Sequence, residues 1–257
     1  MNGSQAAEEH HEAVHVDMVD QLTSDKKTWD GTSLLSVTQI SPSGLNLLCS
    51  VASEMRELVA REGGDERLKH KLMASVFYEA STRTSCSFQA AMMRLGGRVL
   101  HVDGGASGNS SAAKKGETLS DTIRCLQCYT DVTVLRHFSR GSVRQVHDES
   151  KAAAQRDHSH QPILNAGDGV GEHPTQALLD LFTIRDELSS FLSDDKSSTE
   201  PLVVVLLGDL KHGRTVHSLA KLLARSRGEK DTRGIVLRYC APGTLEMPAN
   251  VQEYVAT

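Results

Sequence analysis

No apolar run in this sequence is longer than the six residues Leu202–Leu207. A helix that crosses a bilayer needs about 20 consecutive apolar residues, so this run reads as a buried strand. An excess of positive charge is also missing: the formal net charge is −5, which argues against a nucleic-acid surface and against a polybasic membrane anchor. Residues 1–30 contain no Arg and no apolar signal-peptide core, only several acidic residues and histidines, which predicts a flexible tail and a cytoplasmic location. Cysteine is sparse and odd in number (Cys49, Cys86, Cys125, Cys128 and Cys240), so a disulfide framework is not expected and all five are read as reduced. Cys125 and Cys128 form a C-x-x-C with no second pair, inside a segment where Leu119, Ile123 and Leu126 recur at helical spacing. This predicts ordinary helix packing rather than zinc. His158 and His160, like His10, His11 and His15, have no carboxylate or thiolate partner at ligand spacing and are read as solvated. No Gly-Lys-Ser or Gly-Lys-Thr occurs, which excludes a Walker loop. Gly167-Asp168-Gly169-Val170-Gly171 lacks dinucleotide spacing, and the stretch from Gly208 to Gly213 carries Lys211 and His212 where that fingerprint needs small residues. No internal repeat is visible.

What is present is an alternation of strand and helix signals. The chain has 257 residues, of which 39% are hydrophobic, enough for one or two cores. Ser41-Pro42 reads as a cap followed by a first-turn proline, after which Leu48, Val51, Ala52, Met55 and Val59 line one helical face. The pattern continues with a strand over 72–78, a helix over 82–95 closed by Gly96-Gly97, a strand from Arg98, a Gly/Ser loop over 104–111 and a helix from about Thr118. Strands at 132–135 and 162–164 flank a polar helix near 143–154. After a strong helix over 174–188 and a Ser/Asp-rich linker over 193–200, a second series begins: strand 202–207, helix 214–225, polar loop 226–234, strand 235–239. Such βαβ series imply an α/β fold: two doubly wound parallel-sheet domains with the substrate site in the cleft between them. The expected division is a tail over 1–30, a first domain over 31–174 and a second over 175–257.

Ser81-Thr82-Arg83-Thr84 follows the first strand and opens the next helix. Free N–H groups, short hydroxyl donors and one planar guanidinium at a helix start form a pocket for phosphate or carboxylate, although Ser and Thr are also ordinary caps. Three later segments place cationic or amide groups where a strand hands over to a helix: Lys114-Lys115-Gly116-Glu117, Arg136-His137 and His173-Pro174-Thr175-Gln176. In an open α/β sheet these junctions sit at the carboxyl edge, where ligands bind.

Together with Phe77-Tyr78-Glu79-Ala80 before the phosphate turn, Asn165-Ala166-Gly167-Asp168-Gly169, and Gly208-Asp209-Leu210-Lys211-His212-Gly213-Arg214-Thr215-Val216-His217-Ser218, these segments resemble the aspartate transcarbamoylase family in family order, from about Leu34 to the last residue. The resemblance implies transfer of a carbamoyl group from carbamoyl phosphate to the amino group of L-aspartate, an early step of pyrimidine synthesis, with no metal and no organic cofactor. The first domain would bind carbamoyl phosphate and the second aspartate. It implies that Ser81, Thr82, Arg83 and Thr84 hold the phosphate, that Arg136, His173 and Thr84 surround the carbonyl oxygen, that Gln176 bonds the carbamoyl amino group and that Arg214 pairs with an aspartate carboxylate. Lys115, with Ser111 before it, is implied to reach a neighbouring subunit's site in a homotrimer; Lys114 is an equally able neighbour.

Ornithine transcarbamoylase is the alternative within the resemblance. The cluster of Lys211, His212 and Arg214 suits a dicarboxylic amino acid better than one with a cationic tail. Relative to the family pattern the second domain is expected to be incomplete after Thr257, leaving an apolar sheet face uncovered. A second class of reading follows: a catalytically inert phosphate-binding or assembly subunit.

Overall fold

The computed structural model describes residues 21–104, 116–157, 161–188, 201–226 and 235–256. Strands β1 (Leu72–Phe77), β2 (Arg98–Asp103), β3 (Val132–His137) and β4 (Ile163–Asp168) form a parallel sheet in the order β2-β1-β3-β4. Parallel neighbours require crossovers, and helices α2 (Thr82–Arg94), α3 (Leu119–Gln127) and α4 (Ser142–Asp157) supply them. From β1 the chain steps outward to β2, then returns past β1 to lay β3 on its other side. That reversal makes the β1/β3 boundary a switch point, whose carboxyl ends diverge into a crevice.

The sheet is covered on both sides. Ala74, Val76 and Leu135 pack with Ile123 of α3 and Val143 and Val146 of α4, while Met73, Phe77 and Val134 pack with Met92 of α2 on the other face. This two-sided burial explains why β1 reads as a continuous buried run from Met73 to Phe77 rather than an alternating one. Strand β2 forms an edge and leaves Arg98, Leu100, His101 and Asp103 exposed.

The second unit pairs β5 (Leu202–Leu207) with β6 (Ile235–Cys240) in parallel through α6 (Arg214–Arg225), flanked by α5 (Pro174–Glu187) and α7 (Ala249–Ala256). Its core recruits the start of the chain: Leu22, Val37, Ile40 and Leu45 pack with Leu178 and Leu181 of α5, Leu219, Leu222 and Leu223 of α6 and Val251 of α7. Leu45 lies in α1 (Pro42–Glu62), which Ser41 caps by accepting from Gly44 N at 3.0 Å and Gly63 closes in the left-handed region at φ 78°. On the opposite face of β5 and β6, Val203, Val205, Leu207 and Val236 are exposed, Leu207 to 75%.

Three expectations are corrected. Residues 21–30 are not a tail: Leu22 is buried, pairs in parallel with Ile40, and accepts from Ser41 N and Ser41 Oγ. Apolar burial against α5 and α6 therefore begins earlier than the polar composition suggested. Strands β3 and β4 run to His137 and Asp168, past the apolar residues, because backbone pairing along β1 and β3 continues through Arg136 and Asn165. Cys125 and Cys128 are exposed rather than packed: Ile123 and Gln127 take the buried face of α3 and leave the thiols outward.

Candidate active site

The described groups singled out at strand-to-helix junctions, Ser81 to Thr84, Arg136-His137 and His173 to Gln176, collect at the carboxyl edge of the first sheet. Phe77 lies beside Arg136 in the β1/β3 register, and Tyr78 N donates to Arg136 O at 2.9 Å, so the turn leading into α2 is stitched to the end of β3. His137 lies opposite Asp168, which brings the 168–173 loop to the same edge. Ser81 is the N-cap residue of α2, yet its side chain makes no capping bond; His173 before α5 and Gly213 before α6 likewise supply none. By contrast Ser41 and Thr118 do cap α1 and α3. The α2 start thus keeps its N–H groups and the positive end of its dipole available to an anion. That counts against the ordinary-cap reading of Ser81.

One carboxylate organises the cationic groups. Glu79 accepts from Arg136 Nη2 at 2.8 Å and from Arg214 Nη1 and Nη2 at 3.0 and 2.9 Å, joining the first sheet to the start of α6. Arg214 Nη1 also donates to Gly169 O at 2.5 Å, and Arg136 Nη1 to Ala166 O at 3.3 Å. Gly167, at φ +120°, lies under both guanidinium groups: an added Cβ would meet Arg136 Nη1 at 3.1 Å and Arg214 Cζ at 3.5 Å. The Arg214 hydrogen bonds and then the Arg136 charge hold the Glu79 carboxyl below its usual range, against a desolvation effect that raises it. Burial and the neighbouring Arg214 charge lower the Arg136 pKa, and its buried Nε has no partner among the described residues. Two guanidinium groups thus share the Glu79 carboxylate.

His173 completes the group. It is 5% exposed, its N donates to Ser218 Oγ at 3.3 Å, and Nδ1 lies 3.5 Å from Thr175 Oγ1. Burial first, then the charges of Arg136 and Arg214, lower its pKa to about 4, with Glu79 opposing. A neutral imidazole at neutral pH offers one N–H to a developing oxyanion without adding a third charge. The same shift has a stability consequence. The unfolded imidazole titrates near 6.5, so between about pH 4 and 6.5 the unfolded chain binds more protons, and stability is present above 6.5 and lost on acidification. The His173 share is on the order of 3 kcal/mol. His137 and His217, also lowered by burial, act in the same direction, whereas Asp168, raised by burial, acts oppositely. The share is therefore read by difference: a His173→Asn chain is expected to lose less stability than wild type from pH 6.5 to 4 in denaturant titrations. Parallel curves would refute this.

Of the sequence-derived site residues, Ser81, Thr82, Arg83 and Thr84 form the α2 turn, with Arg83 exposed. Arg136, His173 and Arg214 converge as described. Gln176 lies on the first turn of α5, where its Nε2 donates to Asp180 Oδ1 at 3.1 Å. Ser111, Lys114 and Lys115 lie outside the described residues. The expected cluster of Lys211, His212 and Arg214 is divided: Lys211 and His212 are exposed, His212 pairing with Asp209 at 3.1 Å, while Arg214 turns inward. Its position as the first residue of α6, behind Gly213, aims it at Glu79. Sequence reasoning did not assign roles to Glu79 or Gly167. The signal for Glu79 was charge balance, a lone carboxylate two residues before the Ser81 to Thr84 turn; Gly167 carried none. Among the described residues no three His, Cys, Asp or Glu side chains group as a metal site.

Residues 32–186 match the model of the aspartate/ornithine carbamoyltransferase carbamoyl-P binding domain. The chain is 46% identical over 221 residues to multifunctional protein pyr1-3 of Dictyostelium discoideum, covering 86% of this chain and 9% of that protein. It is 39% identical over 235 residues to the chloroplastic aspartate carbamoyltransferase of Arabidopsis thaliana, covering 91% of this chain and 54% of that one. Among solved structures, the aspartate transcarbamoylase of Trypanosoma cruzi in complex with carbamoyl phosphate and aspartate matches with a TM-score of 0.70 and 40% identity, over 88% of this chain and 62% of that chain. The chain thus spans about half the length of the Arabidopsis relative and a small part of the multifunctional one.

Proposed function

The chain belongs to the aspartate/ornithine carbamoyltransferase family, and from that premise we propose that it transfers the carbamoyl group of carbamoyl phosphate to L-aspartate in pyrimidine biosynthesis. The aspartate nitrogen attacks the carbonyl carbon, the bond from that carbon to the phosphate oxygen breaks, and the nitrogen's proton passes to the departing phosphate, leaving N-carbamoyl-L-aspartate and phosphate. The observation that carries this reading is the uncapped α2 turn standing beside Arg136, whose buried Nε has no partner among the described residues, at the switch point of the sheet. In it Ser81, Thr82, Arg83 and Thr84 hold the phosphate, and Arg136, His173 and Thr84 stabilise the oxyanion; loss of one such donor typically costs about two to three powers of ten in rate. Gln176 orients the carbamoyl nitrogen. Arg214 takes a substrate carboxylate, which then shares the guanidinium with Glu79.

Residues 31–174 are proposed as the carbamoyl-phosphate domain and 175–257 as the aspartate domain. Ser111 and Lys115 are proposed to enter a neighbouring site in a homotrimer, which sedimentation at three chain masses would support. A cytoplasmic location is proposed with support from five free thiols, which suit a reducing compartment; cell fractionation checks it.

The uncovered face at Val203, Val205 and Leu207 favours one second reading, a subunit that binds carbamoyl phosphate without turnover. One assay separates the two. With carbamoyl phosphate present, L-aspartate is expected to trigger release of phosphate and formation of carbamoyl aspartate, and L-ornithine to trigger neither. Binding of carbamoyl phosphate without aspartate-dependent release would select the second reading, and absence of binding would overturn both.

A further inference from the structure

Helix α6 touches the 168–173 loop along a single stripe. Arg214, Ser218 and Lys221 stand at i, i+4 and i+7 and so share one helical face. Each makes a polar contact with that loop: Arg214 donates to Gly169 O at 2.5 Å, Ser218 Oγ accepts from His173 N at 3.3 Å, and Lys221 Nζ donates to Glu172 Oε1 at 3.0 Å. The Lys221–Glu172 pair is largely enclosed, with side chains 19% and 16% exposed.

Glu172 is itself fixed from the other side. Its Oε1 also accepts from Ser36 Oγ at 3.0 Å, and its Oε2 accepts from Val37 N at 3.1 Å. Its N donates to Asp168 Oδ1 at 2.6 Å, which closes the loop on itself, and Asp168 Oδ2 accepts from Gly141 N at 3.1 Å. Lys221 is backed by α7, with Nζ 5.9 Å from the Tyr254 ring centroid. The carboxylate is thus a post held by the Ser36–Val37 segment and by the loop itself, and the ammonium a hook carried by α6.

We propose that Glu172 and Lys221, with Ser218, are positioning residues that latch α6 onto the 168–173 loop and so hold Arg214 and His173 in one fixed relation. Arg214 begins the helix and His173 ends the loop, so neither the helix rotation nor its slide can change without breaking at least one of the three contacts. The latch rests on the proposed function only in that these two side chains face substrate. Its energetic logic is that of an enclosed ion pair: removing one partner strands the other charge, whereas a conservative replacement keeps the geometry.

The test reads His173 directly, in the whole chain, by NMR titration of its imidazole. Arg136, Arg214 and Glu79 are the charges that act on it, and only Arg214 rides on α6. Lys221→Met is expected to raise the His173 pKa from about 4 by one unit or more, as Arg214 recedes and water enters. Lys221→Arg is expected to leave it in place. Phosphate affinity, which depends on the α2 turn, is expected to stay within about twofold. Should Lys221→Met fail to fold, Ser218→Ala is the substitute, with the same upward shift expected. An unchanged His173 titration in a variant whose melting temperature has fallen would make the pair a structural clamp only, and an equal loss of phosphate affinity would mean general collapse of the site; either overturns the latch. Because no turnover is required, an inactive wild type would sink the proposed reaction without touching this result.

Discussion

Arg83→Ala is expected to leave the ligand-free chain as stable as wild type and to abolish its stabilisation by carbamoyl phosphate. Arg83 lies on the exposed first turn of α2, so its truncation falls among surface changes worth about 0.5 kcal/mol or less. Ligand at about a hundred times its dissociation constant adds roughly 2.7 kcal/mol to a folded state that alone binds it. For a chain of this size that is an upward shift of roughly 5–10 °C in melting temperature. Differential scanning fluorimetry with and without carbamoyl phosphate measures both numbers. A wild-type curve unmoved by saturating ligand, or an Arg83→Ala chain that keeps the full shift, would remove the α2 turn from the site.

The second large effect is expected at Glu79. Glu79→Gln leaves Arg136 and Arg214 facing each other across Gly167 without their shared anion. Stranding charge in an enclosed pair costs about 3–5 kcal/mol when burial is complete. The Glu79 side chain is 34% exposed, so solvent screening reduces the expected loss to on the order of 2 kcal/mol. The sign of the ligand response distinguishes this from generic damage. Phosphate held at the α2 turn brings negative charge beside Arg136, at the adjoining end of β3, so it is expected to stabilise Glu79→Gln by more than it stabilises wild type, in denaturant titrations with and without phosphate. Equal stabilisation of both chains would show that Glu79 is not the resting counter-ion of the pocket.

The two expectations probe different layers of the same site. Arg83 acts through a local motif, a guanidinium on a helix start, whose meaning needs only neighbouring residues. Glu79 acts through residues 57 and 135 positions away, and its role exists only once β1, β3 and α6 are assembled. The sequence alone suggests the first and is silent on the second for that reason. The same holds for Gly167, where a glycine among several in one stretch becomes specific only when two guanidinium groups lie against it. The apparent cluster of Lys211, His212 and Arg214 shows the reverse error: adjacency along the chain suggested one cationic patch, but a helix start sends consecutive side chains in different directions.

By itself the amino-acid sequence determined the βαβ alternation, the parallel sheet it requires, the helix start at the Ser81 to Thr84 turn and the family to which the chain belongs. Each of these depends on local periodicity or on short runs of residue types, which the chain carries irrespective of how it folds back on itself. Only the tertiary structure decided that Leu22, Val37 and Ile40 belong to the core beside α6, that the Cys125 and Cys128 thiols face outward, and that Arg136, Arg214 and Glu79 meet at the switch point. It also decided that Glu172 and Lys221, 49 positions apart, close one contact between loop and helix. These are matters of which helical face is buried and which distant strand ends become neighbours, and burial is set by the summed packing of the whole chain rather than by any segment of it.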